Sequence, residues 1–324
     1  MKFKSFLKAA LPVALGIFFV YLSIGITTPK DREMIIQSIK NADMKFVFIG
    51  LFFSLLSHLS RAYRWSFLLS PMGYQPKLIN SILCVLIAYL ANMGIPRSGE
   101  VIRASFISNY EKIPFEKAFG SIVIERVIDV IMLFIIILIA LILQFETIWS
   151  FISNNNINFF KLILFGILLV TFLIILFYII KGSKSQLMIK FKLLISGFWE
   201  GVSSIKKMEK KVPFIFHTIF IWLMYLAMFY VIKWSIPGTF GLTIGMIIPV
   251  FVAGGLSIAT TNGGVGIFPL SVALVLSLFD ISKDVGLAFG WIMWSSQTIL
   301  IIICGSFAFI ALPIVNRKSK LLKT

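Results

Sequence analysis

Six ionisable side chains stand where an apolar chain leaves them little water. Arg97, Glu100 and Arg103 recur every three residues in NMGIPRSGEVIRASF (92–106), and Glu125, Arg126 and Asp129 follow in SIVIERVIDVIML. On a helix starting near Pro96, where a missing N–H costs nothing, the first three form one ridge. In the second group Glu125 and Asp129 share a face at i,i+4, and Arg126 reaches Asp129 at i,i+3. At roughly 3 kcal/mol per unpaired charge in hydrocarbon, six would cost on the order of 18 kcal/mol. That cost demands mutual pairing or a hydrated cavity. Two readings stand: a charge network that only fixes the fold, and one that also handles a substrate. Glu125 and Asp129 could then carry a proton, as intramembrane acids often do.

Another polar cluster, Thr260, Thr261, Asn262, Gly263, Gly264 and Gly266, offers hydroxyls, an amide and approachable backbone N–H groups. Such a turn opening a helix can hold an anion without formal charge. A tight turn with helix capping explains it equally well.

The elements that must position these residues are membrane spans. The chain is 59% hydrophobic with a mean hydropathy of +0.99, and several runs reach the ~20 apolar residues that cross a ~30 Å hydrocarbon core. Full spans are expected near 9–27, 45–60, 119–143, 158–180, 213–235 and 286–312, with an uncleaved basic N-terminus. The formal charge of +17 sits beside apolar runs, the positive-inside pattern, which speaks against a nucleic-acid groove. Cys84 and Cys304 lie inside apolar runs, and His58 and His217 have no ligand-like spacing, so both histidines read as packed or interfacial. No metal set, nucleophile elbow or nucleotide loop is present, so neither an enzyme nor a cofactor is expected.

Charge parity then sets the topology. Residues 1–8 and 61–78 carry bases without acid, and the Lys-rich loop 181–211 has eight lysines against Glu200 and Glu209, so all three are assigned to the cytoplasm. Segment 28–44, loop 144–157 and SIPGTFG (235–241) fall outside, and the basic tail 313–324 falls inside. RAYRW (61–65) reads as an interfacial anchor. Segment 79–118 begins and ends inside with one strongly apolar stretch, so a re-entrant hairpin turning at IPRSG is the economical solution. Irregular backbone at depth must be buried in protein or line a cavity. Segment 243–280, interrupted by Pro249, Gly254, Gly255 and TTNGGVG, is either a second hairpin from the opposite face or two short spans, with the hairpin preferred. Paired interruptions point to a site near the midplane and raise two inverted halves as a hypothesis. The expected architecture is an all-α polytopic membrane protein: one integral domain over 1–324, about six full helices and two re-entrant or broken hairpins. Its N-half is 1–180 and its C-half 212–312.

RAYRWSFLL, LIAYLANMGIPRSGEVIRASFI and KAFGSIVIERVIDVIML resemble the lysylphosphatidylglycerol synthase transmembrane-region family, the flippase-like domain proteins that include the membrane part of the multiple peptide resistance factor. The family pattern N-x-x-x-P-x-x-x-G-E-x-x-R falls on Asn92, Pro96, Gly99, Glu100 and Arg103, and its E-R-x-x-D element on Glu125, Arg126 and Asp129. The resemblance implies a multi-pass protein of a bacterial or archaeal cytoplasmic membrane, with cytoplasmic termini, that moves a phospholipid or lipid-linked anionic headgroup between leaflets. Many members follow a Gly-Gly-x-Gly run with an acid; here Gly263, Gly264 and Gly266 are followed by Ile267, Phe268 and Pro269. No aminoacyl-transferase domain accompanies these residues, so lysyl-lipid synthesis is not expected. A scaffold for a partner lipid-synthesis enzyme and a membrane-embedded lipid-modifying enzyme are the alternative functions. The site residues implied are Arg97, Glu100, Arg103, Asn92, Thr261, Asn262, Gly263 and Gly264 for substrate, with Glu125, Arg126 and Asp129 as network or proton relay.

Overall fold

The computed structural model describes residues 40–94, 97–154, 208–261, 263, 264 and 266–317, with isolated positions at 29, 33, 36, 37 and 171. All regular structure among the described residues is helical: α1 Met44–Leu69, α2 Leu78–Gly94, α3 Ser98–Glu111, α4 Phe115–Leu143, α5 Phe145–Asn154, α6 Lys211–Ile232, α7 Ile244–Thr260, α8 Ile267–Ser277 and α9 Lys283–Val315. Four of these, α1, α4, α6 and α9, are long and apolar enough to cross a membrane. The protein is polytopic. The four match the spans expected near 45–60, 119–143, 213–235 and 286–312. Those at 9–27 and 158–180, and most of the loop 181–211, lie outside the described residues.

The chain divides into two compact units, Met1–Ile122 with Met208–Thr324, and Val123–Lys207. In the second unit the described helices are the remainder of α4 and the short α5. The outer positions of α4, Val130, Phe134, Leu138 and Ile142 among them, are exposed apolar surface of the kind lipid covers.

In the first unit α1 packs antiparallel to α6. Asp43 caps α1 by accepting from Lys45 N–H, and its own N–H donates to Ser235 O at 3.0 Å. A Cβ at Gly50 would meet Ile232 at 2.5 Å, so the two backbones are close there. Further along, Arg64 reaches Thr218. Helix α2 packs antiparallel to α9: a Cβ at Gly305 would sit 2.6 Å from Leu90 Cβ, and the amides of Asn80 and Asn316 donate to each other at 3.0 and 2.8 Å. Asn80 also donates to Glu111, tying the foot of α3 to the foot of α2. These contacts place residues 43 and 235 on one face and residues 80, 111 and 316 on the other. Charge parity makes the same pairings for these residues.

The interrupted segments are both pairs of short helices. At 1.5 Å per residue the 14-residue α3 is about 21 Å long and the 11-residue α8 about 16 Å, both short of a ~30 Å core. Each pair is therefore a broken hairpin, not two full crossings. Pro249, Gly254 and Gly255, read from sequence as breaks, lie inside a continuous α7. The break is confined to the turn after Thr260. Gly254 instead lets the Phe268 ring of α8 come close, its Cβ position lying 2.7 Å from that ring.

Both hairpin tips meet α9 in its middle. With Leu90 opposite Gly305, four further residues of antiparallel register bring Gly94 level with Ile301. The other tip is pinned directly, because Trp294 Nε1 donates to Gly263 O at 2.8 Å. The two levels are about 10 Å apart on a 33-residue helix about 50 Å long.

Candidate functional site

The first tip is built by the hairpin's own polar residues. Asn92 Oδ1 accepts from Gly99 N–H at 2.7 Å, and Ser98 Oγ donates to Ala91 O at 3.0 Å, so the end of α2 caps the start of α3. Gly99 is needed for that approach: a Cβ there would lie 2.1 Å from Ala88 O. Asn92 is thus occupied in shaping the turn.

The three ridge residues separate. Pro96 lies outside the described residues, and the helix begins at Ser98 with Arg97 as N-cap, not on the ridge. Arg97 adopts φ 63°, the left-handed region, and is exposed at the tip. The helix thus starts two residues after Pro96, where spacing placed its start, with Asn92 of α2 as the capping side chain. Glu100 occupies the first turn of α3, where the helix dipole favours an acid, and is half-buried. Arg103 is 2% exposed, its guanidinium 3.9 Å from the Trp65 ring centroid. Trp65 in turn donates from Nε1 to Ser121 Oγ at 2.8 Å.

A larger polar core, missed from sequence, lies on α1. The helix runs on to Leu69, so Arg61 and Arg64 belong to its buried face, 4% and 0% exposed, and not to a loop. Parity treats them as topology markers because it counts residue types and is blind to helical face. The signal was legible: Ser54, His58, Arg61 and Arg64 step by four or three, with Ser57 beside His58, and form one polar stripe. Around it, Arg64 Nη1 donates to Thr218 Oγ1 at 3.1 Å and stands 5.7 Å from the Phe214 ring. Ser60 Oγ and His217 Nδ1 are 2.8 Å apart, and Ser54 Oγ donates to Gln297 Oε1 at 2.9 Å. His58 packs against Tyr89, whose hydroxyl is 3.3 Å from that of Tyr225. Both histidines are packed, as expected.

The second tip holds Gly263 and Gly264 at φ 69° and 75°, and Gly266 at 72°. Thr261 Oγ1 donates to Ser257 O and accepts from Gly264 N–H at 3.1 Å, so this threonine closes the turn. Asn262 lies outside the described residues. Within the second unit, Glu125 is fully buried, and Arg126 pairs with Asp129 at 3.6 Å as the i,i+3 spacing requires. Among the described residues no cluster of three or more His, Cys, Asp or Glu could hold a metal.

The arrangement is a membrane helix core with buried guanidiniums and two broken hairpins. Residues 9–305 match the family described as the lysylphosphatidylglycerol synthase TM region. The chain belongs to that family. A UPF0104 membrane protein of Methanocaldococcus jannaschii is 29% identical over 120 residues, covering 36% of this chain and 35% of that protein. The match thus spans about a third of that relative's length. No solved structure matches. The family's name ties its members to membrane lipid, and this membrane region buries three guanidiniums, Arg61, Arg64 and Arg103, on α1 and α3.

Proposed function

We propose that the chain is a lipid translocase of the cytoplasmic membrane, moving a phospholipid with an anionic headgroup between leaflets. The observation that carries this reading is the set of three buried guanidiniums, Arg61, Arg64 and Arg103, on α1 and α3. Cations at that depth are costly, and face a protein interior or a hydrated path. Arginine's fork of donors fits phosphate oxygens bidentately. Arg97 supports the same reading from the tip: a non-glycine residue at positive φ carries strain on the order of 1–3 kcal/mol, and such strain gathers at functional turns. In this reading Arg97 meets the headgroup, the α1 arginines receive it, and the turn Thr261–Gly264 gates from the opposite side. Within its own unit, the Arg126–Asp129 pair neutralises two of the charges of α4. No covalent chemistry is assigned, and both termini face the cytoplasm.

The test is binding of phosphatidylglycerol to purified protein in which Arg61 and Arg64 are each replaced by Gln. Tenfold or greater weakening in well-folded variants is the expected result. Unchanged affinity in both would remove the guanidiniums from the function and leave the scaffold reading, in which exchange of loop 181–211 is what abolishes activity.

A further inference from the structure

A hydrogen-bond chain from Gln297 through Ser54 reaches the ring of His58. Ser54 Oγ donates its one hydrogen to Gln297 Oε1 at 2.9 Å, while Gln297 Nε2 turns to Met228 Sδ. With that hydrogen on Gln297, the Ser54 hydroxyl accepts toward His58 at 3.4 Å, which places the ring hydrogen on Nε2. In the neutral ring Nδ1 is left with a bare lone pair. It is buried and finds no hydrogen-bond donor among the described residues. A buried acceptor without a donor is a standing penalty that a proton or a ligand donor relieves.

The place of this lone pair gives it meaning. His58 lies about 21 Å along a helix about 39 Å long, near mid-depth. Gln297, two bonds away, is on α9 between the levels of the two hairpin tips. The groups facing the ring are Arg61 one turn along α1, Tyr89 from α2, Tyr225 from α6, and Ser54 with Gln297 from α9. Helices α1, α2 and α6 contain no Asp or Glu at all, and the one acid of α9, Asp284, is in its first turn. Arg61 is thus the charged neighbour on the same helix, and an anion that meets it stands beside the ring.

We infer that His58 Nδ1 takes up one proton when an anionic phospholipid headgroup reaches the Arg61 level, so that lipid movement is coupled to a proton. The inference rests on the proposed translocase reading and adds its ion. The proton comes from water and is released when the headgroup leaves; no bond other than N–H forms or breaks.

Short-chain phosphatidylglycerol is titrated into detergent-solubilised protein in weak buffer with a pH indicator, and protons taken up are divided by lipid bound. The wild type should give a ratio near one and His58→Gln a ratio near zero, whatever its affinity. Independently, the wild-type Kd should fall as pH drops from 8 to 5, by up to tenfold per unit, because the bound state holds the extra proton. This second measurement decides the matter if His58→Gln does not fold. Binding with no proton uptake and a flat Kd would overturn the inference and leave the translocase standing. Absence of any phosphatidylglycerol binding would overturn both. A parallel titration with the deacylated headgroup should bind far more weakly; equal affinity would overturn the lipid as ligand.

Discussion

Replacing Gly99 by Ala adds one methyl group at the place where the first hairpin closes. The new Cβ would stand 2.1 Å from Ala88 O and 2.8 Å from Ala88 C, both backbone atoms of α2. Real Cβ contacts stay beyond 3.0 Å, so α3 must withdraw by about 1 Å, and the 2.7 Å bond from Gly99 N–H to Asn92 stretches beyond use. Overpacking of this kind costs about 1–3 kcal/mol and the lost cap about 1 kcal/mol. Gly120→Ala is the matched control: it lies within α4 and its Cβ would meet nothing within 4 Å. There the better helix propensity of Ala gives a gain of up to about 1 kcal/mol. Thermal unfolding in detergent, followed by the emission of the seven tryptophans, should show a clear drop in Tm for Gly99→Ala and none for Gly120→Ala. Equal Tm values for the two variants would refute the close packing of α3 on α2.

Three further substitutions probe the elements that hold the tips. Asn316→Ala removes both amide bonds to Asn80 and should lower stability by about 1–3 kcal/mol, read by the same unfolding assay. Trp294→Phe leaves Gly263 O without its donor, so amide exchange around the second turn should quicken by roughly tenfold or more while α1 and α6 are unchanged. Arg103→Lys keeps the charge but loses the planar stack on Trp65, a loss of about 0.5–2 kcal/mol that should also shift tryptophan emission.

Much of this fold is legible in the sequence. Charge parity demanded that residues 79–118 turn back, and the feet of α2 and α3 do meet through Asn80 and Glu111. It also paired Asp43 with the 235–241 face, where a backbone bond now joins them. Helical spacing gave the Arg126–Asp129 pair directly. The failures have one physical origin. Parity and hydropathy see composition along the chain, whereas Arg61 and Arg64 owe their burial to the direction a helix face points. Arg97 misled for a related reason: spacing of three assumes one continuous helix, and the cap by Asn92 seven residues before Gly99 breaks that assumption. Pro249 looked like a break because proline often is one, yet a helix packed along its length tolerates it.

The central claim is that the buried guanidiniums of α1 serve an anionic lipid and do not merely brace the fold. Its most direct test is the transbilayer movement of fluorescent phosphatidylglycerol in proteoliposomes, read by quenching of the outer leaflet. The wild type should move the lipid well above protein-free vesicles, and Arg64→Gln, incorporated at equal density and with unchanged Tm, should fall to the protein-free rate. Wild-type movement at the protein-free rate, or Arg64→Gln as fast as wild type, would contradict the account.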